Sequence, residues 1–324
     1  MTGLFNLVIG QMAAARTRAF GPPSIDGCAA TAVYPIGRPS PAAPPMVGGK
    51  GAANPSDEHL EAALSKALER DEFALHYQPQ VCLDSGRIVA VEALLRWNSA
   101  ELGRVPPDRF IPIAERTGEI RRVGEWVLHE ACAQHSRWRA TGVQAPRIAV
   151  NVSPVQLGNP DFPARVGAIM KGARMRAEAL ELELTESRIL GDDDAPVRAL
   201  EALRAQGVSI ALDDFGAGFS SLMHLKRMRV DTLKIDRAFV RNLAEDSSNA
   251  AIVAGIISTG RGLGLRIVAE GVESERELAF LRDRECHHVQ GCLTGRPEPA
   301  DEISLLLRAG GVMCRGRQTA ALYC

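Results

Sequence analysis

Seven short runs of this chain each reach an acid, an amide or a lysine after apolar residues. They are Ala-Val-Glu92, Ile-Ala-Val-Asn151, Leu-Glu-Leu-Glu183 with Glu186 just beyond, Ile-Ala-Leu-Asp213-Asp214, Thr-Leu-Lys234-Ile-Asp236, Ile-Val-Ala-Glu270 with Glu273 behind it, and His-Val-Gln290. Taken singly, each has an ordinary explanation. Glu92 or Glu183 alone is a solvated or salt-bridged rim residue, and Asn151 and Asp213-Asp214 are turn formers. Lys234 and Asp236 read as an ion pair, and Glu270 to Glu273 as a helix start with acids near its positive end. Taken together they need a common cause. Presented at one edge, these groups form a ring too acidic for Lys234 to neutralise, and such a ring calls for a compensating cation. Carboxylates plus one amide, without cysteine or histidine, favour a hard ion such as Mg²⁺ or Mn²⁺ over zinc. The adjacent Asp213 and Asp214 let one carboxylate bridge two ions, the arrangement that activates water in phosphodiester hydrolysis. The glycines and serines of 215–221 supply a flexible loop able to close over such a site.

Groups so far apart in the chain meet only if parallel strands carry them. Strand-like runs occur at 73–78, 87–95, 147–152, 180–185, 208–212, 232–235, 265–269 and 287–289. Helical patterns lie between most of them, such as 196–206, with proline in its first turn and Gly207 just past its end, and 274–284. Eight strands alternating with helices fit the roughly 250 residues of a (β/α)8 barrel better than two open sheets. The carboxyl ends of barrel strands form one mouth, where enzymes of this fold keep their chemistry. The first two strands are joined only by Asp84-Ser85-Gly86, too short for a parallel crossover, so one of them is expected to run antiparallel. The fold class is therefore α/β, a (β/α)8 TIM-like barrel with an antiparallel first strand pair.

Composition sets the limits. Of 19 prolines, 8 lie at or before Pro55, and Asp26 is the only acid before Asp57, so 1–55 reads as a disordered, low-complexity extension. Its apolar patch at 4–9 has no basic residue before it, the wrong polarity for a secretory signal. An N-cap expected at Ser56, with Leu60, Leu64 and Leu68 at helical spacing, opens the domain, which runs over 56–308 and leaves a tail at 309–324. With 38 basic and 39 acidic residues, a net charge of -1 and 5% aromatics, the chain lacks the basic stripe and interleaved aromatics of a nucleic-acid binder. Seven scattered cysteines without a C-x-x-C pair argue against disulfides or a thiolate zinc site and for a reducing, cytoplasmic compartment. No charge-free stretch reaches the roughly 20 residues of a membrane span.

The motifs resemble those of the EAL domain, the bacterial cyclic di-GMP phosphodiesterase, from about Ser56 to about Leu307. The name-giving motif stands as Glu92-Ala-Leu94-Leu-Arg96-Trp97, after Tyr77-Gln78-Pro79 and before Phe110-Ile-Pro-Ile-Ala-Glu115. Asn151-Val-Ser-Pro, Glu183-Leu-Thr-Glu186, Asp213-Asp214-Phe-Gly-Ala-Gly-Phe-Ser-Ser-Leu222, Leu233-Lys234-Ile-Asp236, Ala269-Glu270-Gly-Val-Glu273 and Gln290-Gly follow in the family's order. The resemblance implies hydrolysis of cyclic di-GMP to linear pGpG with Mg²⁺ or Mn²⁺, two ions in all. It implies that Glu92, Asn151, Glu183 and Asp213 hold the first ion, and Asp213 and Asp214 the second. Lys234 would orient the attacking water, Glu270 would act as second-metal ligand or general base, and Gln290 would support that water or ion. Gln78, Leu94 and Arg96 would meet the substrate, Arg96 through the fork of donors that matches a phosphate. Glu186, through Ser220, and Glu273 would brace the loop 215–221. The chain departs from the family at Ala217, where threonine is common, at Phe219, where tyrosine is common, and at Cys292, which replaces an aromatic residue. Homodimers are common among such domains. The competing expectation is a catalytically silent cyclic di-GMP receptor or protein-interaction module, whose mark would be a lost ligand or a lost Glu270.

Overall fold

The computed structural model describes residues 56–185, 195–216, 228–243 and 245–310. Helix α1 (Asp57–Ala67) begins where Ser56 Oγ accepts the His59 N–H at 3.3 Å, and it buries Leu60 and Leu64. It leads into a long hairpin, β1 (Phe73–Cys82) and β2 (Ile88–Ser99), whose register sets Phe73 opposite Trp97 and Gln78 opposite Glu92. β1 outruns its expected end toward the turn, where Val81 pairs with Val289, and β2 outruns its own at the open end of the hairpin, where Trp97 pairs with Val105. There Phe73, Trp97 and Phe110 pack with ring centroids 5.4–6.1 Å apart, while Trp97 Nε1 donates to buried Glu72 at 2.8 Å.

The chain continues through β3 (Gly103–Val105), α2 (Pro107–Thr117) and α3 (Ile120–Ala140). Then come β4 (Arg147–Asn151), α4 (Pro154–Leu157), α5 (Phe162–Gly172), β5 (Leu180–Thr185), α6 (Ala195–Ala205) and β6 (Ser209–Phe215). The last stretch holds β7 (Thr232–Ile235), α7 (Arg237–Val240), α8 (Ser247–Gly262), β8 (Arg266–Ala269), α9 (Glu275–Asp283), β9 (His288–Val289), β10 (Glu298–Pro299) and α10 (Ala300–Arg308). Strands β2, β4, β5, β6, β7, β8 and β9 run parallel in that order, and β1 closes the barrel by pairing antiparallel with both β2 and β9. It is β1 that runs the other way. The two strands absent from the sequence reading, β3 and β10, lie outside the closed ring and pair antiparallel with β2 and β1. At three and two residues they carry no readable alternation.

Strand alternation divides the side chains into two sets. On β5, Leu180, Leu182 and Leu184 pack outward in the hydrophobic core, while Glu181 and Glu183 turn into the lumen, where they meet Thr232 and Lys234 of β7. Alanines 90, 149 and 211, on the same strand faces as the charged residues, leave room for these long side chains. The lumen therefore holds two charged layers instead of the branched apolar residues usual in this architecture. At the amino end Glu181 accepts from Arg266 and Thr232, each at 2.8 Å, and pairs with Arg147. At the carboxyl end lies the cluster built around Lys234. No described helix is long and apolar enough to cross a membrane.

Candidate active site

Lys234 is 1% exposed, yet its ammonium has four carboxylates around it: Glu270 at 2.6 Å, Glu183 at 2.8 Å, Asp213 at 3.2 Å and Glu92 at 3.6 Å. Glu92, Glu183 and Asp213 come from three different strands and Glu270 directly follows β8, all delivered by the parallel register of β5 through β8 and by β2 across the barrel. Burial by itself would strip the proton from Lys234, but the four carboxylates overcome it and hold its pKa well above the usual value. The read-alone pairing of Lys234 with Asp236 is corrected here. Lys234 faces the lumen, while Asp236 caps α7 by accepting the Ala238 N–H at 2.6 Å.

The carboxylates differ in their supports. For Glu92, burial pushes the pKa up, but Lys234, Gln290 and Asn151 outweigh it and hold the group ionised below the usual range. Gln290 Nε2 donates to its Oε2 at 2.6 Å and Asn151 Nδ2 to its Oε1 at 2.7 Å. Glu183 is pushed well up, first by burial and then by Glu92. Burial, then Asp213 and Glu92, raise Glu270 to about 8 against the pull of Lys234. Burial and Asp213 raise Asp214 to about 6.

Asp213 and Asp214 owe their placement to a bulge. Leu212 pairs with Leu233 and Phe215 with Ile235, so two residues of β6 stand against one of β7. Asp214 takes the left-handed conformation, φ 55°, and its N–H donates to Asp213 Oδ1 at 3.0 Å. An aspartate tolerates this conformation better than most residues. The result is that Asp213, Asp214 and Glu270 each offer a carboxylate oxygen within 4.8 Å of the others.

Gln290 is set by the glycine after it, since a Cβ on Gly291 would lie 2.1 Å from the carbonyl oxygen of Val272. Gln78 is half-buried, donating to the Gly295 carbonyl and accepting from Gln290, each at 3.0 Å. Leu94 and Arg96 follow Glu92 on the same face of β2, further out along the hairpin. Arg96 donates to the Leu95 carbonyl at 3.0 Å. Burial, then Arg104, lowers its pKa. Glu273 is exposed, and its backbone N–H donates to Glu277 at 2.8 Å. Glu186, Ser220, Ala217, Phe219 and most of the loop 215–221 lie outside the described residues, and Cys292 is exposed. Two supporting groups lie outside the expected set of site residues. Ser153 Oγ donates to Glu115 at 2.7 Å and joins a capping box with Gln156, fixing the turn that follows Asn151. Glu181 was legible in the Leu-Glu-Leu-Glu alternation, which puts it on the face of Glu183.

A sequence profile of the family described as EAL domain matches residues 61–297. The chain belongs to the EAL domain family. It is similar to the bifunctional diguanylate cyclase/cyclic di-GMP phosphodiesterase MucR of Pseudomonas aeruginosa, 46% identical over 240 residues that cover 74% of this chain and 35% of that protein. It is also similar to the cyclic di-GMP phosphodiesterase NbdA of the same organism, 40% identical over 250 residues, 77% of this chain and 32% of that one. The chain thus spans about a third of the length of these relatives. Among solved structures, the PaMucR phosphodiesterase in complex with c-di-GMP is 46% identical with a TM-score of 0.72, covering 75% of this chain and 99% of that one. The EAL domain of Mycobacterium smegmatis DcpA is 39% identical with a TM-score of 0.63, over 74% of this chain and 96% of that one.

The donor set of this EAL domain fits the divalent cation that its family implies. Among the described residues, Glu183 Oε1 and Gln290 Oε1 are buried without a hydrogen-bond partner, and Glu270 Oε1 has only its ion pair with Lys234. Buried acceptors left open are costly unless something electropositive meets them. All are hard oxygens, and the exposed Asn151 and Asp214 flank them on the solvent side.

Proposed function

We propose that this EAL domain hydrolyses cyclic di-GMP to linear pGpG, lowering the level of that second messenger, with Mg²⁺ or Mn²⁺ held by Glu92, Asn151, Glu183, Asp213, Asp214 and Glu270. The observation that carries the reading is the four-carboxylate cluster with its open buried oxygens, matched among the described residues by Lys234 alone. The choice of substrate is supported by relatives named as cyclic di-GMP phosphodiesterases. Divalent cations at these oxygens supply Lewis acidity toward the phosphoryl group and acidify a bound water.

The protein's own groups then divide the work. Glu92, kept ionised by two amide donors and Lys234, contributes an oxygen of fixed orientation. Glu270, 2.6 Å from Lys234, serves either as a ligand of the second cation or as the general base that takes the proton of the attacking water. Lys234 orients that water and offsets the negative charge that grows on the phosphoryl oxygens, since its ammonium stays charged throughout the working pH range. Arg96 offers a planar fork to a phosphate, beside Leu94 on the substrate's side of the mouth. Glu186, Ser220 and Glu273 belong to the proposal as braces of the loop 215–221.

Incubating the full chain with cyclic di-GMP and Mn²⁺ should yield pGpG, and chelator or Glu92→Ala should abolish it. Glu270→Gln should lower kcat by about 10²–10⁴, the usual worth of a positioned general base. Nucleotide binding without product in both Mg²⁺ and Mn²⁺ would instead identify a silent receptor or interaction module. The proposal includes a catalytic unit at 56–308, a homodimer testable by light scattering, and a cytoplasmic site of action. That location is supported by the free thiols of Cys82, Cys132, Cys286 and Cys292.

A further inference from the structure

The structure assigns Gln78 a role other than touching substrate: we propose that it is a positioning residue, which aims Gln290 and through it Glu92. The inference rests on the reading of Glu92 as a cation-binding carboxylate.

Three contacts in series make the case. Gln78 Nε2 donates to the backbone carbonyl of Gly295 at 3.0 Å. That carbonyl can only accept, so it fixes which end of the Gln78 amide faces it and turns Oε1 the other way. Gln78 Oε1 accepts from Gln290 Nε2 at 3.0 Å, and the same nitrogen donates to Glu92 Oε2 at 2.6 Å. Both neighbours of Gln290 Nε2 are acceptors, so a flipped Gln290 would set oxygen against oxygen twice. Removing the Gln78 acceptor removes half of that constraint and frees Gln290 to rotate away from Glu92.

The origin of the relay is rigid. Gly295 N–H donates to the Gly291 carbonyl at 3.0 Å, and Thr294 Oγ1 donates to the same oxygen at 3.2 Å from a fully buried position. One turn therefore supplies both Gln290 and the carbonyl that orients Gln78, while the β1–β2 ladder sets Gln78 directly opposite Glu92. Asn151 holds the other oxygen of Glu92, so the plane of the carboxylate is set by two amides. Preset ligand orientation of this kind commonly accounts for 10–100-fold in metal affinity.

The test is Mn²⁺ binding to the nucleotide-free full chain by calorimetry, alongside turnover at saturating Mn²⁺. Gln78→Met, which keeps the length and loses the amide, should weaken Mn²⁺ binding by about tenfold while KM for cyclic di-GMP stays within about twofold. Gln290→Met should do the same. The double variant should be no weaker than Gln290→Met alone, because Gln78 acts only through Gln290. Should Gln78→Met fail to fold, Gln78→Asn, which keeps an amide one methylene short of Gln290, should show the same loss. Unchanged Mn²⁺ affinity with a raised KM would overturn the proposal and return Gln78 to the substrate. Additive losses in the double variant would overturn it too. A wild-type chain that binds Mn²⁺ without hydrolysing cyclic di-GMP would sink the proposed activity and leave the relay standing, whereas no Mn²⁺ binding at all would sink both.

Discussion

A buried lysine among four carboxylates is an unbalanced set, and the imbalance has consequences for single residues. Lys234 is the cation in contact with Glu92, Glu183, Asp213 and Glu270 among the described residues. Lys234→Met should destabilise the chelator-treated protein by about 3–5 kcal/mol, the usual cost of leaving buried charge without its partner. Mn²⁺ should recover a larger share of that loss than it adds to the wild type, as chemical denaturation with and without the ion would show. Protons are the other way to relieve the repulsion. Glu270, raised to about 8, and Glu183, also raised, favour their neutral forms in the folded state. A raised carboxyl contributes stability that is complete below its unfolded pKa and is lost as pH rises through the folded one. The chelated protein should therefore lose stability from about pH 5 to about pH 8, levelling off above that, and the fall above about pH 7 is the clearest window. This window lies above the range of His135 and His288, whose burial lowers them to about 4 and makes them act in the opposite sense near pH 5 to 6. Glu270→Gln should flatten the slope, and Mn²⁺, which needs the ionised carboxylates, should reverse it. Thermal melts across that window with chelator or ion would read both effects, and a wild-type slope unchanged by Glu270→Gln would remove Glu270 as its source.

At the scale of the element, strand ends and turns decide where these groups point. Gly291→Ala would place a methyl against the Val272 backbone, where the nearest atoms are 2.1 and 2.3 Å away and cannot rotate aside. The turn that holds Gln290 would have to shift. We expect a loss of about 1–3 kcal/mol, as for other overpacked sites, together with weaker Mn²⁺ binding. A stability loss without a change in ion affinity would show that the turn moves independently of Gln290. This turn also marks how far the sequence could be read. Apolar runs ending in acids disclosed the parallel strands, and the three-residue gap after Leu83 disclosed the hairpin, because both follow from local periodicity and chain reach. The pairing of Gln78 with Gly295 joins residues 217 positions apart through a backbone carbonyl, which has no letter in the sequence. The bulge at Asp213-Asp214 is similar. Two acids at a strand end suggested ligands, but their divergence depends on a left-handed residue that aspartate permits without announcing.

Across the whole molecule, the barrel lumen works as two charged layers with separate tasks. Glu181 at the amino end and Glu183 at the carboxyl end lie two residues apart on β5, roughly 7 Å along the strand. Glu181 has its charge met by Arg147 and Arg266 and a third contact from Thr232, so that layer is closed on itself. The layer around Lys234 has more acid than base and open oxygens. Stability is thus concentrated at one end, and the capacity to take up a cation at the other. Glu181→Gln keeps a hydrogen-bonding group of the same size but leaves two partly exposed arginines without their buried partner. Because solvent screens arginines that are 24% and 33% exposed, the cost should be about 1–3 kcal/mol, below that of a fully buried pair. Mn²⁺ affinity should stay within about twofold, since well-separated sites without shared partners behave additively. Denaturant midpoints and calorimetric titrations of the same preparations would test this division. If the midpoint falls and the Mn²⁺ affinity falls with it, the layers share their energy, and the acidic mouth depends on the salt-bridged base beneath it.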